Sequence, residues 1–257
     1  MKTLKFLSLT QIFLFTYIWM SAQTATEIVK KADDKMQGES NYSEMEMKIV
    51  RPQWNRTLSF TSCSKGKDYS ITLITNPAKE KGQTFLKRKN ELWSWNPTIE
   101  RLIKLPPSML SQGWMGSDYS NDDVLNESSV VNDYTHKIIG TETIERKDCY
   151  KIELNPKPTA LVVWGKQEMW ITKTDFIILM VKYYDEDNYL VKTEKASQIK
   201  LMDNRLIPTV FEILPADEPQ NKTLVTIKKI KFDISVDETF FSQQNMKKGE
   251  NLKFPVQ

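Results

Sequence analysis

Residues 42–50 read Tyr42-Ser43-Glu44-Met45-Glu46-Met47-Lys48-Ile49-Val50. Met45, Met47 and Ile49 fall on one side of an extended chain, and Glu44, Glu46 and Lys48 on the other. A period of two is the spacing of a strand with one apolar and one solvated face. The alternation recurs at 56–62 (Leu58, Phe60), 68–75 (Tyr69, Ile71, Leu73), 83–87, 91–95 and 101–105. It resumes at 134–139, 149–154, 167–172, 176–184, 189–201, 206–214 and 223–232. Short polar turns such as Lys173-Thr174-Asp175 and 185–188 join the runs, which predicts antiparallel hairpins. No long helical pattern separates them, and this argues against parallel βαβ winding. The expected fold is therefore mainly β: a single large curved antiparallel sheet or barrel, of about 11 and at most thirteen strands. No linker, repeat or shift in composition divides it.

Two segments break the rhythm. Thr24-Ala25-Thr26-Glu27 has the spacing of a capping box, and Ala25, Ile28, Val29, Ala32 and Met36 follow at helical intervals. Gly38 is placed to end this segment, so an amphipathic helix is expected over 26–37. The second segment is an insert at 106–127. Pro106-Pro107 ends the strand before it, because neither residue can donate to a ladder. Ser108 to Gly116 is apolar without alternating, and Ser120-Asn121-Asp122-Asp123 has helix-start spacing. Methionine and tryptophan in a glycine-punctuated stretch suit short helices lying over an apolar surface, since an unbranched thioether adapts to varied partners. A core plug is the plainer alternative.

The N-terminus has the pattern of an export signal. Met1–Lys5 carries two lysines, 6–20 is an apolar run, and Ser21-Ala22-Gln23 offers small residues for cleavage. The run is shorter than the ~20 residues that span a bilayer. Residues 1–22 are read as a signal peptide and 23–257 as one exported domain. Cys63 and Cys149 then meet an oxidising compartment, where a disulfide between them is an open question of distance.

Composition removes many alternatives. With 36 Lys+Arg against 33 Asp+Glu, the chain has no field that argues for nucleic acid. Eight glycines in 257 residues make phosphate-binding loops improbable, and one histidine with two cysteines leaves little for a metal centre. His136 alternates on a strand with Tyr134 and Ile138 and is read as structural. Met115-Gly116-Ser117-Asp118 lacks the flanking glycines of a nucleophile elbow. Asp185-Glu186-Asp187-Asn188 starts like a calcium loop but has Leu190 at position six and Ala196 at position twelve, so it is read as a turn. No catalytic residue, metal or cofactor is expected.

The chain resembles the LolA-like family of outer-membrane lipoprotein-sorting carriers. Leu92-Trp93-Ser94-Trp95-Asn96-Pro97 stands where that family has its Leu-Trp-x-Trp/Tyr-x-Pro signature. Trp114-Met115-Gly116-Ser117-Asp118-Tyr119-Ser120-Asn121-Asp122-Asp123 is similar to a run in its larger branch. Glu168-Met169-Trp170-Ile171 and Tyr183-Tyr184-Asp185 resemble the shared hairpin beyond mid-sheet. The resemblance implies an incomplete β-barrel, closed on one side by an N-terminal helix and short lid helices, around a hydrophobic cavity. It also implies a periplasmic carrier, monomeric, that takes lipoprotein acyl chains or another lipid from an inner-membrane transporter to an outer-membrane acceptor. An envelope sensor of lipid or peptide on the same fold, or a lipid-acting enzyme, is the alternative.

Trp93, Trp95, Met109, Leu110, Trp114 and Met115 are the candidate cavity and lid contacts. Trp114→Ala with Met115→Ala is expected to weaken uptake of an acyl ligand while leaving thermal stability near wild type. The family's lid is held by an arginine. Here the matching region reads Ser64-Lys65-Gly66-Lys67-Asp68, so Lys65 or Lys67 would have to substitute without the planar fork of Arg.

Overall fold

The computed structural model of the chain describes residues 23–89, 91–125, 129–160 and 162–256. Residues 1–22, read from the sequence as a signal peptide, lie outside them.

All thirteen alternating runs form strands of one antiparallel sheet. The first half comprises β1 (Ser40–Val50), β2 (Asn55–Lys65), β3 (Tyr69–Asn76), β4 (Thr84–Arg88), β5 (Glu91–Asn96) and β6 (Arg101–Leu105). The second comprises β7 (Tyr134–Ile144), β8 (Lys147–Pro156), β9 (Lys166–Thr172), β10 (Ile178–Tyr184), β11 (Leu190–Met202), β12 (Arg205–Pro215) and β13 (Lys222–Phe232). Each half is a meander. They join where β1 pairs with β13, from Asn41 opposite Phe232 to Val50 opposite Lys222, with a register shift between Glu44 and Met45.

The sheet order runs from β6 through β1, then β13 back to β7, so β6 and β7 are its two unpaired edges. The sheet curves without closing into a barrel. The 106–133 connection leads from one edge to the other. It contains 3₁₀ turns at Pro107–Met109 and Trp114–Gly116 and the short helix α2 (Asn121–Leu125).

The N-terminal helix α1 (Ala25–Gln37) forms as its sequence dictates. Thr24 Oγ1 accepts from the Glu27 amide at 3.2 Å, and the Thr24 amide donates to Glu27 Oε2 at 2.9 Å. Gly38 ends the helix at φ 64°, a conformation that favours glycine. Ile28, Val29 and Ala32 are fully buried against Tyr134, Ile152, Leu154, Met169, Ile171 and Val181. His136 ties this contact together: Nε2 lies 2.7 Å from the Val130 carbonyl and Nδ1 3.1 Å from Thr26 Oγ1. Burial lowers its pKa, as suits a neutral structural imidazole. At 185–188, Asp185 Oδ1 accepts from the amides of Asp187 and Tyr189, closing the hairpin turn expected there.

Both faces of the first half are covered, because alternation sends apolar residues each way. Leu58, Phe60, Phe85 and Leu92 pack with Met47, Ile49 and Trp114 on the face beneath the insert. Cys63, Tyr69, Ile71, Leu73 and Leu86 point the opposite way and are covered by Val236, Phe241, Met246 and Leu252 of the C-terminal segment.

The cysteines are free and buried. Cys63 lies under the C-terminal segment, whereas Cys149 on β8 packs with Trp170, Ile177 and Leu179. These are separate clusters, and no bridge joins them. Burial raises both thiols, Cys63 to about 12, which keeps them in the unreactive protonated form. The folded protein is expected to resist iodoacetamide at pH 8 and to take up two labels once unfolded, as counted by intact mass; prompt double labelling of the folded chain would contradict this burial.

Candidate functional site

The face of the sheet beneath α1 and the insert is hollow. One lobe, of about 230 Å³, lies toward the second half and is lined by Met169, Ile178, Val181, Tyr183, Ala196 and Trp164, among others. A second, of about 260 Å³, lies against the first half and the β1–β13 seam, with Met45, Met47, Phe60, Val225, Ile227 and Ile230 in its wall. Both lobes are bounded by Met36, Gln37, Tyr119, Asp123, Glu194 and Phe211, so they are two parts of one hollow. Its roof is the C-terminal turn of α1 together with Tyr119, Asp122, Asp123 and Val124 of the insert.

Methionine is prominent in the walls: Met36, Met45, Met47, Met169 and Met180. Their placement follows from the strand period. In β1 the positions alternating with Glu44, Glu46 and Lys48 face inward, and in 42–50 two of those are methionine.

The insert is folded back on itself and clamped at its turn. The Trp114 amide donates to the Tyr119 carbonyl at 2.7 Å, and the Asp122 amide to the Leu110 carbonyl at 3.0 Å. Arg51, just beyond β1, grips the turn: Nη2 and Nη1 meet Asp118 Oδ1 and Oδ2 at 2.9 and 3.1 Å, and Nη2 donates to the Gly116 carbonyl at 3.2 Å. Arg56 Nη1 donates to the Met115 carbonyl at 3.2 Å. Thr223 Oγ1 donates to Asp118 Oδ2 at 2.6 Å. Bidentate guanidinium–carboxylate pairing is among the stronger charge-assisted contacts, and this pair is largely buried. The latch is thus made of arginines after all. Lys65 and Lys67 do not reach the insert: Lys65 donates to the Val236 carbonyl and Lys67 pairs with Asp33 of α1.

A second clamp holds α2. Lys192 on β11 is buried and pairs with Asp123, whose carboxylate also accepts from the Ser120 amide at 2.7 Å and from Trp164 Nε1 at 3.2 Å. The Lys192 ammonium lies 4.5 Å from the Trp164 ring centroid, 4.7 Å from Tyr183 and 5.6 Å from Tyr119. Glu194, two residues on along β11, lines both lobes. Burial pushes its carboxyl up to about 7, with Lys192 opposing and Asp123 adding to the rise.

The six residues singled out by sequence are not brought together, and none of them lines either lobe. Trp93 and Trp95 lie on the opposite face, packed against the cluster beneath the C-terminal segment, with Lys104 and Lys247 over their rings. The cause is parity: on β5 it is Leu92 that faces inward, which sends its neighbours at odd positions outward. Leu110, Trp114 and Met115 pack onto the cluster that backs the second lobe. Met109 is half-buried in the first 3₁₀ turn, its carbonyl accepting from Asn121 Nδ2 at 2.8 Å. Trp114 is 1% exposed, with its ring 5.4 Å from both Phe60 and Phe85. It packs as a core anchor for the insert, and this burial argues against the expectation that its removal leaves stability near wild type.

Among the described residues, no group of three His, Cys, Asp or Glu side chains is arranged to hold a metal ion. No helix there is long and apolar enough to cross a membrane.

A single curved antiparallel sheet that is not closed into a barrel, with few helices, is a LolA-like fold, and solved structures share it. A DUF1329 family protein from Desulfovibrio piger matches with a TM-score of 0.77 at 24% identity, over 86% of this chain and 97% of its own. A domain named for outer-membrane lipoprotein sorting, from Vibrio parahaemolyticus, matches with 0.77 at 19% identity, over 87% and 98%. A LolA superfamily protein from Nitrosomonas europaea matches with 0.76 at 24% identity, over 87% and 99%. A family model described only as "Uncharacterized protein" matches residues 66–248, and the chain belongs to that family. No curated protein matches it.

Proposed function

We propose that the protein is a periplasmic carrier that binds the acyl chains of a lipoprotein, or of another lipid, in the two-lobed hollow. It takes them from a transporter in the inner membrane and delivers them to an acceptor at the outer membrane, acting as a monomer and without catalysis. The observation that carries this reading is a hollow, rich in methionine, roofed by an insert that is anchored at Trp114 and held beyond that anchor by polar contacts that water can replace. At ~0.8 kcal/mol per methylene, exposing a fifteen-methylene chain to water costs roughly 12 kcal/mol. A carrier must cover most of that surface and still release it. The apolar part of the walls, rich in flexible methionine, meets the first need, because it adapts to a chain without shape-locking it; Ser43, Ser62, Ser64, Ser70 and Thr72 form a polar stripe in the second lobe. Hydrogen bonds and ion pairs at the insert meet the second, because water can replace them when the lid opens.

Trp114, Met115 and Leu110 support the roof in this reading, and the contacts with cargo come from Met36, Met45, Met47, Met169 and Phe211. Extraction of an acyl-labelled lipid from vesicles into a soluble complex tests it.

A further inference from the structure

We propose that the hollow is specific for amphiphiles whose headgroup is cationic and donates hydrogen bonds, such as a long-chain ammonium, with the headgroup docked between Glu194 and Gln167. This deepens the carrier reading and rests on it.

The lining residues of the two lobes include Asp33, Asp122, Asp123 and Glu194 but no lysine or arginine. Asp33 is answered from behind by Lys67 at 2.8 Å and Asp123 by Lys192, and Asp122 has a partner of its own. Glu194 faces the hollow with the Tyr183 hydroxyl 3.3 Å away. In the same lobe Gln167, on β9, is 2% exposed, and its carbonyl oxygen has no hydrogen-bond partner. A buried acceptor without a donor costs about 1–3 kcal/mol. A ligand that brings donors to Gln167 and positive charge to Glu194 removes that cost. A carboxylate or phosphate headgroup brings neither, and meets like charge in a medium of low dielectric.

Behind these walls the fold already holds one ammonium. Lys192 is surrounded by the rings of Trp164, Tyr183 and Tyr119, an arrangement that stabilises cations through the ring quadrupoles. It is paired with Asp123 and also favours the ionised form of Glu194, the form that a cationic ligand meets. The groups facing Glu194 are Lys192, Asp123, Tyr183 and, alongside them, Tyr119; both tyrosine hydroxyls are pushed well up by burial and stay neutral. A cation bound beside Glu194 favours its ionised form. Below about pH 7 that carboxyl must first lose its proton, so binding weakens as pH falls.

Titration calorimetry of the purified protein with dodecylammonium, dodecanol and dodecanoate at pH 8, below their aggregation limits, tests the inference. Dodecylammonium should bind at least about tenfold tighter than dodecanoate, and Glu194→Gln should cut its affinity about tenfold while leaving dodecanol unchanged. On the wild-type protein, moving from pH 8 to pH 6 should weaken dodecylammonium by up to about tenfold and leave dodecanol alone. Equal affinities for the three probes, or a flat pH profile for the ammonium, overturn the headgroup assignment and leave the carrier reading standing. No binding by any of the three overturns both.

Discussion

Replacing Trp114 by alanine is expected to destabilise the folded chain by about 3–5 kcal/mol, the range for removing a large aromatic from a closed core. For a domain of this size that corresponds to a fall in Tm of roughly 10 °C. The reasoning is local. Trp114 is fully buried between Phe60 and Phe85, and it belongs to the same cluster as Met47, Ile49, Leu58 and Leu92. Four strands and the insert therefore lose a shared partner at once. Its Nε1 is buried without an acceptor, so Trp114→Phe, which removes the orphaned donor and keeps most of the ring, should cost less than half as much. A thermal melt in which the alanine variant matches wild type would mean that the insert does not anchor through this ring.

Asp118→Ala is expected to be nearly as damaging, at about 3 kcal/mol, because it leaves the largely buried Arg51 guanidinium with carbonyl acceptors but no counter-charge. Asp118 joins three elements: Arg51 after β1, Thr223 on β13 and the insert itself. The carboxylate is acceptor to both partners, so its loss also removes the acceptor of the Thr223 hydroxyl proton, while that oxygen keeps the backbone amide at 118. Arg51→Ala alone should cost less, since Asp118 keeps Thr223. A double-mutant cycle over Arg51 and Asp118 is expected to show strong coupling, on the order of 1.5 kcal/mol or more. Additive single effects, read from urea midpoints, would remove the latch from the account. With the latch cut, limited proteolysis should move to 108–118, the stretch that the pair pins down.

The strand pattern made the fold legible because the chain keeps to a period of two almost throughout. Residues 42–50 already place Met45 and Met47 on one face, and those residues are in the wall of the hollow. The capping box at Thr24 and Glu27 marked the start of α1 for the same reason: a local chemical rule that tertiary contacts did not override. The site was harder to read. Trp93 and Trp95 attract attention as large aromatics, but whether they face the hollow depends on the parity of β5 against its neighbours. That parity follows the pairing of Trp93 with Leu86 on β4, and the C-terminal segment that covers this face has no local signature. The latch was sought among Lys65 and Lys67, whereas Arg51 and Arg56 flank the β1–β2 hairpin turn. Only the pairing of β1 with β13 brings that turn beside Asp118 and Thr223. Lys192 and Glu194 are legible only afterwards: both point inward from β11, in a stretch where charge at alternate positions reads as a solvated face.

In the proposed carrier reading, the methionines offer the hollow to an acyl chain, while Lys192 holds the roof through Asp123. The most direct test is flotation of donor vesicles carrying a trace acyl-labelled lipid after incubation with the protein. Label should remain below the vesicles with the protein, at up to one lipid per chain. Ala196→Phe, which fills the first lobe from the β11 wall, should abolish this while preserving the fold. Label that floats entirely with the vesicles, or equal extraction by Ala196→Phe, would contradict the account.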